Sequence, residues 1–263
     1  MLMVRSQDTC LHVRVDGPDD APAVLLLNSL GTELRMWDGI ADGLAGAFGV
    51  IRFDKPGHGL SETAGRPFSI QQLAAHALSV LDAVGVARAH VVGLSIGGQI
   101  AMALADAHPD RVDRLVLSNT AARIGSRQMW SDRIGALERG GIASIADPIL
   151  ERWFSARWRH EHPEELAGWR AMLTRCDLQG YLGCCEALAG ADLSDACRAM
   201  RRAVLVIAGS EDGATPPELV QATAALIQQA GYVCIAGAGH LPCIEQPEAY
   251  LRLLRDFLSA PSA

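Results

Sequence analysis

Residues 91–103 read VVGLSIGGQIAMA, and this stretch decides the fold of the chain. An apolar run, which predicts a buried strand, breaks at a serine and then resumes with the spacing of a helix. At so sharp a turn from strand to helix the serine takes a strained backbone conformation, so the residues two before and two after it must be very small. Gly93 and Gly97 meet that requirement. The stretch therefore predicts a G-x-S-x-G nucleophile elbow centred on Ser95.

An elbow of this kind needs partners from elsewhere in the chain, because a serine hydroxyl is a weak nucleophile at neutral pH. It becomes reactive when a base takes its proton and when amide groups stabilise the oxyanion that forms. We therefore expect the remaining sequence to supply a histidine, an acid that orients the histidine, and at least one further amide donor.

Aliphatic runs that end in polar or glycine-bearing loops recur on both sides of the elbow. Such continuous runs are typical of parallel strands covered by helices on both faces. The clearest intervening helix begins after Ser69 and stops at Gly85. Besides the elbow strand at 89–94, strands are predicted at 9–15, 23–27, 50–53, 112–117, 203–208 and 232–235. This alternation predicts an α/β fold with a mostly parallel, doubly wound sheet.

The alternation stops between residues 123 and 200, where the spacing indicates several short helices and no convincing strand. Four of the five tryptophans, Trp130, Trp153, Trp158 and Trp169, lie in this segment. They either help it pack over the carboxyl edge of the sheet or hold the segment together, and the sequence leaves both open. We predict an α/β core at 1–122 and 201–263, with a helical cap insertion at 123–200.

Asp212 and His240 are the predicted partners of Ser95. Each follows its own predicted strand, and the order serine, acid, histidine is that of a hydrolase elbow. The carboxyl ends of parallel strands share one edge of a sheet, so the three side chains can meet there. His58 and Asp54 also follow a strand, but they precede the elbow, and we expect them to stabilise their own glycine-rich loop.

The oxyanion hole is predicted to consist of two backbone amides. One belongs to Ile96, the residue after the nucleophile, and the other to Leu30, in the loop that follows the 23–27 strand. Because both donors are main-chain groups, these two side chains can be apolar.

Composition argues against several other classes of protein. The net charge is −7, and the basic residues are scattered arginines and a single lysine, so binding to nucleic acid or to an acidic membrane surface is not expected. No apolar stretch approaches the roughly 20 residues that span a bilayer, and the first residues do not form a signal peptide. The seven cysteines are odd in number and irregularly spaced, which predicts neither disulfides nor a zinc site. A cytoplasmic protein is expected; the oligomeric state is not indicated.

Several motifs carry a resemblance that covers essentially the whole chain. The elbow, Gly209-Ser210-Glu211-Asp212 and Gly239-His240-Leu241-Pro242 resemble the α/β-hydrolase superfamily. A narrower resemblance, to the 3-oxoadipate enol-lactonases of the β-ketoadipate pathway, rests on Asn28-Ser29-Leu30-Gly31-Thr32, Met36-Trp37-Asp38, Asp54-Lys55, Gly57-His58-Gly59 and Asn119-Thr120-Ala121-Ala122-Arg123-Ile124-Gly125. Asn28-Ser29 stands where many hydrolases of the superfamily have His-Gly, a departure shared with the lactonases. Pro56 stands where the family often has arginine.

The resemblance implies an α/β-hydrolase fold of about eight strands and an enzyme that opens a small anionic enol-lactone to 3-oxoadipate. Ser95 would attack the lactone carbonyl, His240 would act as base, Asp212 would orient His240, and water would release the acid. The reaction requires no metal or organic cofactor. Trp130 could wall the pocket, and Arg123 or Arg133 could bind the acetate carboxylate of the substrate.

Two other functions stay open at this stage. One is a different serine hydrolase of the same fold, such as a carboxylesterase, a neutral-lactone hydrolase or a cofactor-free perhydrolase, since all of these share the triad. The other is a non-catalytic ligand receptor built on a hydrolase scaffold, against which the intact set of Ser95, Asp212 and His240 argues.

Overall fold

A single sheet organises the computed structural model, which describes residues 1–63 and 65–260. Within that part of the chain the sheet has eight strands in the order β1-β2-β4-β3-β5-β6-β7-β8. The strands are β1 (Leu2–Ser6), β2 (Thr9–Asp16), β3 (Ala23–Leu27), β4 (Gly49–Phe53), β5 (Ala89–Leu94), β6 (Val112–Ser118), β7 (Val204–Gly209) and β8 (Gly231–Ile235). β1 and β2 run antiparallel to their neighbours, and β3 to β8 are parallel to one another. The predicted α/β class and mostly parallel sheet are confirmed.

The strand order reverses around β3, and this reversal positions the site. β3 lies between β4 and β5, so that Leu25 is opposite Ile51 on one side and Val91 on the other. Every residue of β5 is buried, as the aliphatic run predicted. In open α/β sheets, ligands bind at the carboxyl ends of strands where the order reverses. The loops after β3 and β5 are adjacent at such a point.

Twelve α-helices flank or cover the sheet in the described residues. They are α1 (Asp38–Leu44), α2 (Ile70–Ala83), α3 (Ile96–Ala107), α4 (Arg127–Gly140), α5 (Ala146–Trp153), α6 (Ala156–Glu161), α7 (Pro163–Thr174), α8 (Leu178–Gly190), α9 (Ser194–Ala199), α10 (Pro217–Leu226), α11 (Pro242–Glu245) and α12 (Pro247–Leu258). Helix α2 begins as predicted, because the Ser69 hydroxyl accepts a hydrogen bond from the Gln72 amide in a full capping box.

Three of the described elements were not predicted from the sequence: β1, α1 and the four-residue α11. β1 was missed because its apolar and polar residues do not alternate: the apolar Leu2 and Met3 are both exposed, 44% and 42% accessible, whereas the polar Ser6 is buried. Helix α1 contains Gly39 and Gly43, which weaken the helical pattern. A Cβ at Gly43 would meet the end of the Leu251 side chain, so a larger residue at this position would require that side chain to move.

Helices α4 to α9 lie between β6 and β7, and residues 119–203, all of them described, contain no strand. Trp158 stacks on Phe154 with ring centroids 4.1 Å apart, and Trp169 packs against the same ring at 5.8 Å. These two tryptophans hold the cap insertion together, one of the two roles that the sequence left open. The division into a core and a cap at 123–200 stays a proposal, and residues 261–263 of the proposed core lie outside the described part of the chain.

Candidate active site

The turn at Ser95 has the strained geometry that the sequence predicts for a nucleophile. Ser95 joins β5 to α3 with φ 60° and ψ −122°, a conformation that non-glycine residues rarely adopt. A Cβ on Gly93 would collide with the carbonyl oxygen of Gly97, and a Cβ on Gly97 would collide with that of Leu27. The two glycines therefore permit the close approach of strand, helix and neighbouring loop that this turn requires.

Asp212 and His240 are hydrogen-bonded to each other at the same edge of the sheet. His240 Nδ1 lies 3.0 Å from Asp212 Oδ1 and 2.9 Å from Oδ2, and both residues are buried. The carboxylate accepts this hydrogen bond, so the proton is on Nδ1 and Nε2 is free to act as a base. The structure thus brings the predicted acid and histidine together in the geometry of a catalytic pair.

Four further donors surround the Asp212 carboxylate. Oδ2 accepts hydrogen bonds from Asn119 Nδ2 at 2.9 Å and Thr215 Oγ1 at 2.7 Å, and Oδ1 accepts from the amides of Ala214 and Thr215 at 2.7 and 2.9 Å. Burial raises the pKa of Asp212. The charge and hydrogen bond of His240, together with the hydrogen bonds from Asn119 and Thr215, outweigh that effect and leave the pKa below 3.8. Asp212 is therefore an anion at neutral pH.

Ser95 and His240 line one small cavity, of about 70 Å³, which we call the reaction cavity. Within the described structure no hydrogen bond joins Ser95 Oγ to the imidazole. Such contacts are often long in unliganded enzymes and shorten when the substrate binds.

The two predicted oxyanion donors face the same region. Leu30 lines the reaction cavity, and Ile96 opens α3, where the first amides have no acceptor within the helix. No hydrogen bond between described residues uses the amide of either residue. Leu30 lies in residues 28–32, which we call the oxyanion loop, and both amides are available to an oxygen bound beside Ser95.

His58 and Asp54 stabilise loops, as predicted. Asp54 accepts hydrogen bonds from the amides of Leu34 at 2.7 Å and Leu60 at 3.0 Å. His58 Nδ1 donates to Pro56 O at 3.0 Å, and its Nε2 accepts the Gly31 amide of the oxyanion loop at 3.1 Å. Burial, with the charge of Lys55, holds the pKa of His58 well below 6.5, so the ring is neutral and can accept that bond.

Two arginines reach the reaction cavity from the cap insertion. Arg133, on α4, stacks over the Trp130 ring at 5.0 Å, and both residues line the cavity as predicted. Arg152, on α5, also lines it, beside Trp153. Neither guanidinium forms an ion pair or a side-chain hydrogen bond with any described residue. Both can therefore bind an anionic group of a ligand.

Arg123, the other arginine considered from the sequence, lies outside the reaction cavity. Its side chain is exposed, whereas its neighbours Ala122 and Ile124 are buried, 3% and 6% accessible. Arg123 is not among the described residues that line the reaction cavity. Of the two arginines considered from the sequence, Arg133 lines the reaction cavity and Arg123 does not.

Three residues of the candidate site were not predicted from the sequence. Thr215 had a usable signal, since it lies three residues after Asp212, where an Asx-type turn lets an aspartate bond the following amides. Asn119 follows β6 at the carboxyl edge, beside the strand that precedes Asp212, and was noted only as part of a motif. Arg152 had no signal, because helical spacing in the cap insertion does not show which helix face meets the sheet.

A larger cavity, of about 840 Å³, lies between Leu34 and Trp169. Ser95 and His240 line the smaller cavity and do not line this one, so the smaller cavity is the candidate active site. Among residues 1–63 and 65–260, no cluster of three or more histidine, cysteine, aspartate or glutamate side chains is arranged to hold a metal ion. No helix in those ranges has the length and apolar character needed to cross a membrane.

Known proteins share this architecture. Residues 24–253 match the family model described as the alpha/beta hydrolase family. The chain is 32% identical to 3-oxoadipate enol-lactonase 2 of Acinetobacter baylyi, over 93% of this chain and 91% of that protein. It is 31% identical to a putative carbamate hydrolase RutD of Caulobacter segnis, over 89% and 90% of the two chains. The enol-lactonase of Burkholderia xenovorans LB400 superposes with a TM-score of 0.96 at 38% identity, covering 98% of this chain and all of that one. These likenesses confirm the resemblance that the motifs indicated.

Proposed function

Since the chain belongs to the alpha/beta hydrolase family, we propose that it is a serine hydrolase that opens the lactone ring of 3-oxoadipate enol-lactone to 3-oxoadipate. This substrate is supported by the enol-lactonases that are similar to the chain over nearly its whole length. Carbamate hydrolases and esterases are also similar to the chain, so likeness alone does not choose among ester-type substrates.

The observation that carries the proposal is the charge of the reaction cavity. Arg133 and Arg152 line it together with Ser95 and His240, whereas no aspartate or glutamate is among its described lining residues. The protein as a whole carries a net charge of −7. A positive cavity in an acidic protein favours an anionic substrate, and the enol-lactone carries a carboxylate on its acetate arm. A planar guanidinium can bind such a carboxylate through two hydrogen bonds.

In the proposed first half-reaction, Ser95 Oγ attacks the lactone carbonyl carbon and His240 Nε2 takes the hydroxyl proton. The carbonyl oxygen becomes an oxyanion, which the amides of Leu30 and Ile96 stabilise. The bond to the ring oxygen then breaks, and the ring opens to leave an ester on Ser95. The departing enolate takes up the proton that His240 Nε2 received from Ser95 and becomes a ketone, which leaves His240 neutral for the next step. Because an enolate is a weaker base than the amine released from an amide, its departure demands less of His240 as an acid.

In the second half-reaction, water attacks the ester carbon while His240 takes a proton from that water. The tetrahedral species collapses, the bond to Ser95 Oγ breaks, and the proton returns to the serine. Asp212 remains an anion throughout and stabilises the imidazolium that forms in each half. The low pKa of Asp212 suits this role, because the carboxylate does not compete for the proton.

Purified protein with the enol-lactone, followed through the loss of its ultraviolet absorbance, tests the proposal. Wild type should open the lactone, and Ser95→Ala should not. The same preparations assayed with p-nitrophenyl acetate give the comparison with a neutral ester. A kcat/KM that strongly favours the ester would replace the lactonase by an esterase, and equal activity of Ser95→Ala and wild type would reject the serine mechanism itself.

A further inference from the structure

Lys55, the single lysine of the sequence, is buried beneath the oxyanion loop with 3% of its surface accessible. Its Nζ donates hydrogen bonds to the carbonyl oxygens of Ser29 at 2.6 Å and Thr32 at 3.2 Å. No carboxylate in the described part of the chain forms an ion pair with it. Removing a cation from water without a counter-ion is costly, so the two carbonyl oxygens are the groups that stabilise Lys55 in this buried position.

The carbonyl of Ser29 and the amide N–H of Leu30 belong to the same peptide group. That group is planar and trans, so its C=O and N–H bonds point in opposite directions. A cation on the oxygen therefore lies at one end of the peptide dipole, and the predicted oxyanion lies at the other. We propose that Lys55 is a positioning residue that orients and polarises the Leu30 amide of the oxyanion hole.

Other contacts hold the same loop without adding charge. Ser29 O also accepts a hydrogen bond from Thr32 Oγ1 at 2.9 Å, and the next peptide group is held by the bond from the Gly31 amide to the neutral His58 ring at 3.1 Å. Burial lowers the pKa of Lys55, and the charges of Asp54 and Glu33 act in the opposite direction. Among the described residues, Lys55 is the one donor to this peptide group that can carry a charge.

The charge should matter more for the transition state than for substrate binding. A charge-assisted hydrogen bond is roughly twice as strong as a neutral one, and a polarised peptide is a better donor at its other end. The oxygen beside Leu30 carries a full negative charge only in the tetrahedral state. Loss of the Lys55 charge should therefore lower kcat and leave KM nearly unchanged.

This inference rests on the proposed serine hydrolysis but not on the enol-lactone as substrate, so its test uses p-nitrophenyl acetate. Lys55→Met, which is similar in length and uncharged, should lose about 10²-fold in kcat, the lower range for one oxyanion donor, with KM changed less than about threefold. Inhibition by phenylboronic acid, which forms a tetrahedral adduct on Ser95, should weaken by a similar factor. Thermal unfolding of the variant checks that it is folded.

Thr32→Val is the matched control, because it removes a neutral donor to the same Ser29 carbonyl. It should lose less than about tenfold in kcat, since a neutral bond is the weaker one. If Lys55→Met fails to fold, Lys55→Gln keeps a donor without the charge and should lose about tenfold in kcat.

Two results would overturn the inference alone: a folded Lys55 variant with wild-type kcat, or equal losses for Lys55→Met and Thr32→Val, which would mean that loop order matters and charge does not. Activity that survives in Ser95→Ala would overturn the serine mechanism and this inference with it. Failure on the enol-lactone alone, with Ser95-dependent ester hydrolysis intact, would change only the substrate assignment.

Discussion

Asn119 Nδ2 lies 2.9 Å from Asp212 Oδ2 and 3.2 Å from the carbonyl oxygen of Gly239, the residue before His240. One amide group therefore joins the acid to the loop that carries the histidine. Asn119 has φ 46°, in the left-handed region that asparagine tolerates better than most residues. The end of β6 thus supplies a brace that links the loop carrying Asp212 to the loop carrying His240.

Asn119→Ala should lower kcat about tenfold, because a hydrogen bond to a charged group contributes about 1.5 kcal/mol. KM should change little, since Asn119 is not among the described residues lining the reaction cavity. Steady-state kinetics on p-nitrophenyl acetate measure both. Thr215→Val, which removes another donor to the same oxygen, should act in the same direction. A rise in KM at constant kcat would show that Asn119 serves substrate binding instead.

Arg133→Gln and Arg152→Gln should each raise KM for the anionic enol-lactone by about tenfold or more, the loss expected for one charged hydrogen bond to a carboxylate. Kinetics on p-nitrophenyl acetate should be nearly unchanged, because that ester has no carboxylate. Arg123→Gln is the matched control outside the reaction cavity and should resemble wild type on both substrates. Equal effects on the two substrates would remove the arginines from carboxylate binding.

Stability should fall as the pH drops below about 6.5, the ordinary pKa of histidine. Burial lowers the pKa of His58, His76 and His90 in the folded protein. In that range the unfolded chain therefore binds protons that the folded protein does not, and the stabilisation present at higher pH is lost on acidification. Urea unfolding at pH 7.5 and 5.5 measures the difference.

His76→Gln should reduce this dependence on pH, by up to about 1.4 kcal/mol per pH unit for one proton. His160→Gln, at an exposed position, is the control and should keep the wild-type slope. An unchanged slope in His76→Gln would mean that this histidine takes up its proton in the folded state as readily as in the unfolded chain.

The strands that could be predicted are those in which the pattern of apolar residues in the sequence matches the burial of those residues in the fold. β3 and β5 were predicted to the residue because every one of their aliphatic side chains suits a strand covered on both faces. Asp212 and His240 could be chosen because topology brings the ends of parallel strands to one edge. The role of Lys55 could not be predicted, since its carbonyl partner Ser29 lies 26 residues away and a main-chain contact has no sequence signature.

Glu245 connects the cap insertion to the histidine loop. Its carboxylate accepts hydrogen bonds from the Gly239 amide at 2.9 Å and from Ser155 Oγ at 2.6 Å, while the His240 amide donates to Trp153 O at 2.8 Å. The segment between α5 and α6 is therefore tied to the residues on which His240 depends.

Glu245→Ala should destabilise the protein by about 3 kcal/mol, because it leaves the Gly239 amide and the Ser155 hydroxyl without their charged acceptor. The melting temperature should fall by roughly 5–10 °C. Glu248→Ala, three residues on and exposed, is the control and should melt close to wild type. Glu245→Gln keeps one acceptor oxygen and should fall between the two. If Glu245→Ala melted like Glu248→Ala, the contact between Glu245 and Ser155 would contribute nothing to stability. The cap insertion would then be held to the histidine loop by the Trp153–His240 hydrogen bond and apolar packing alone.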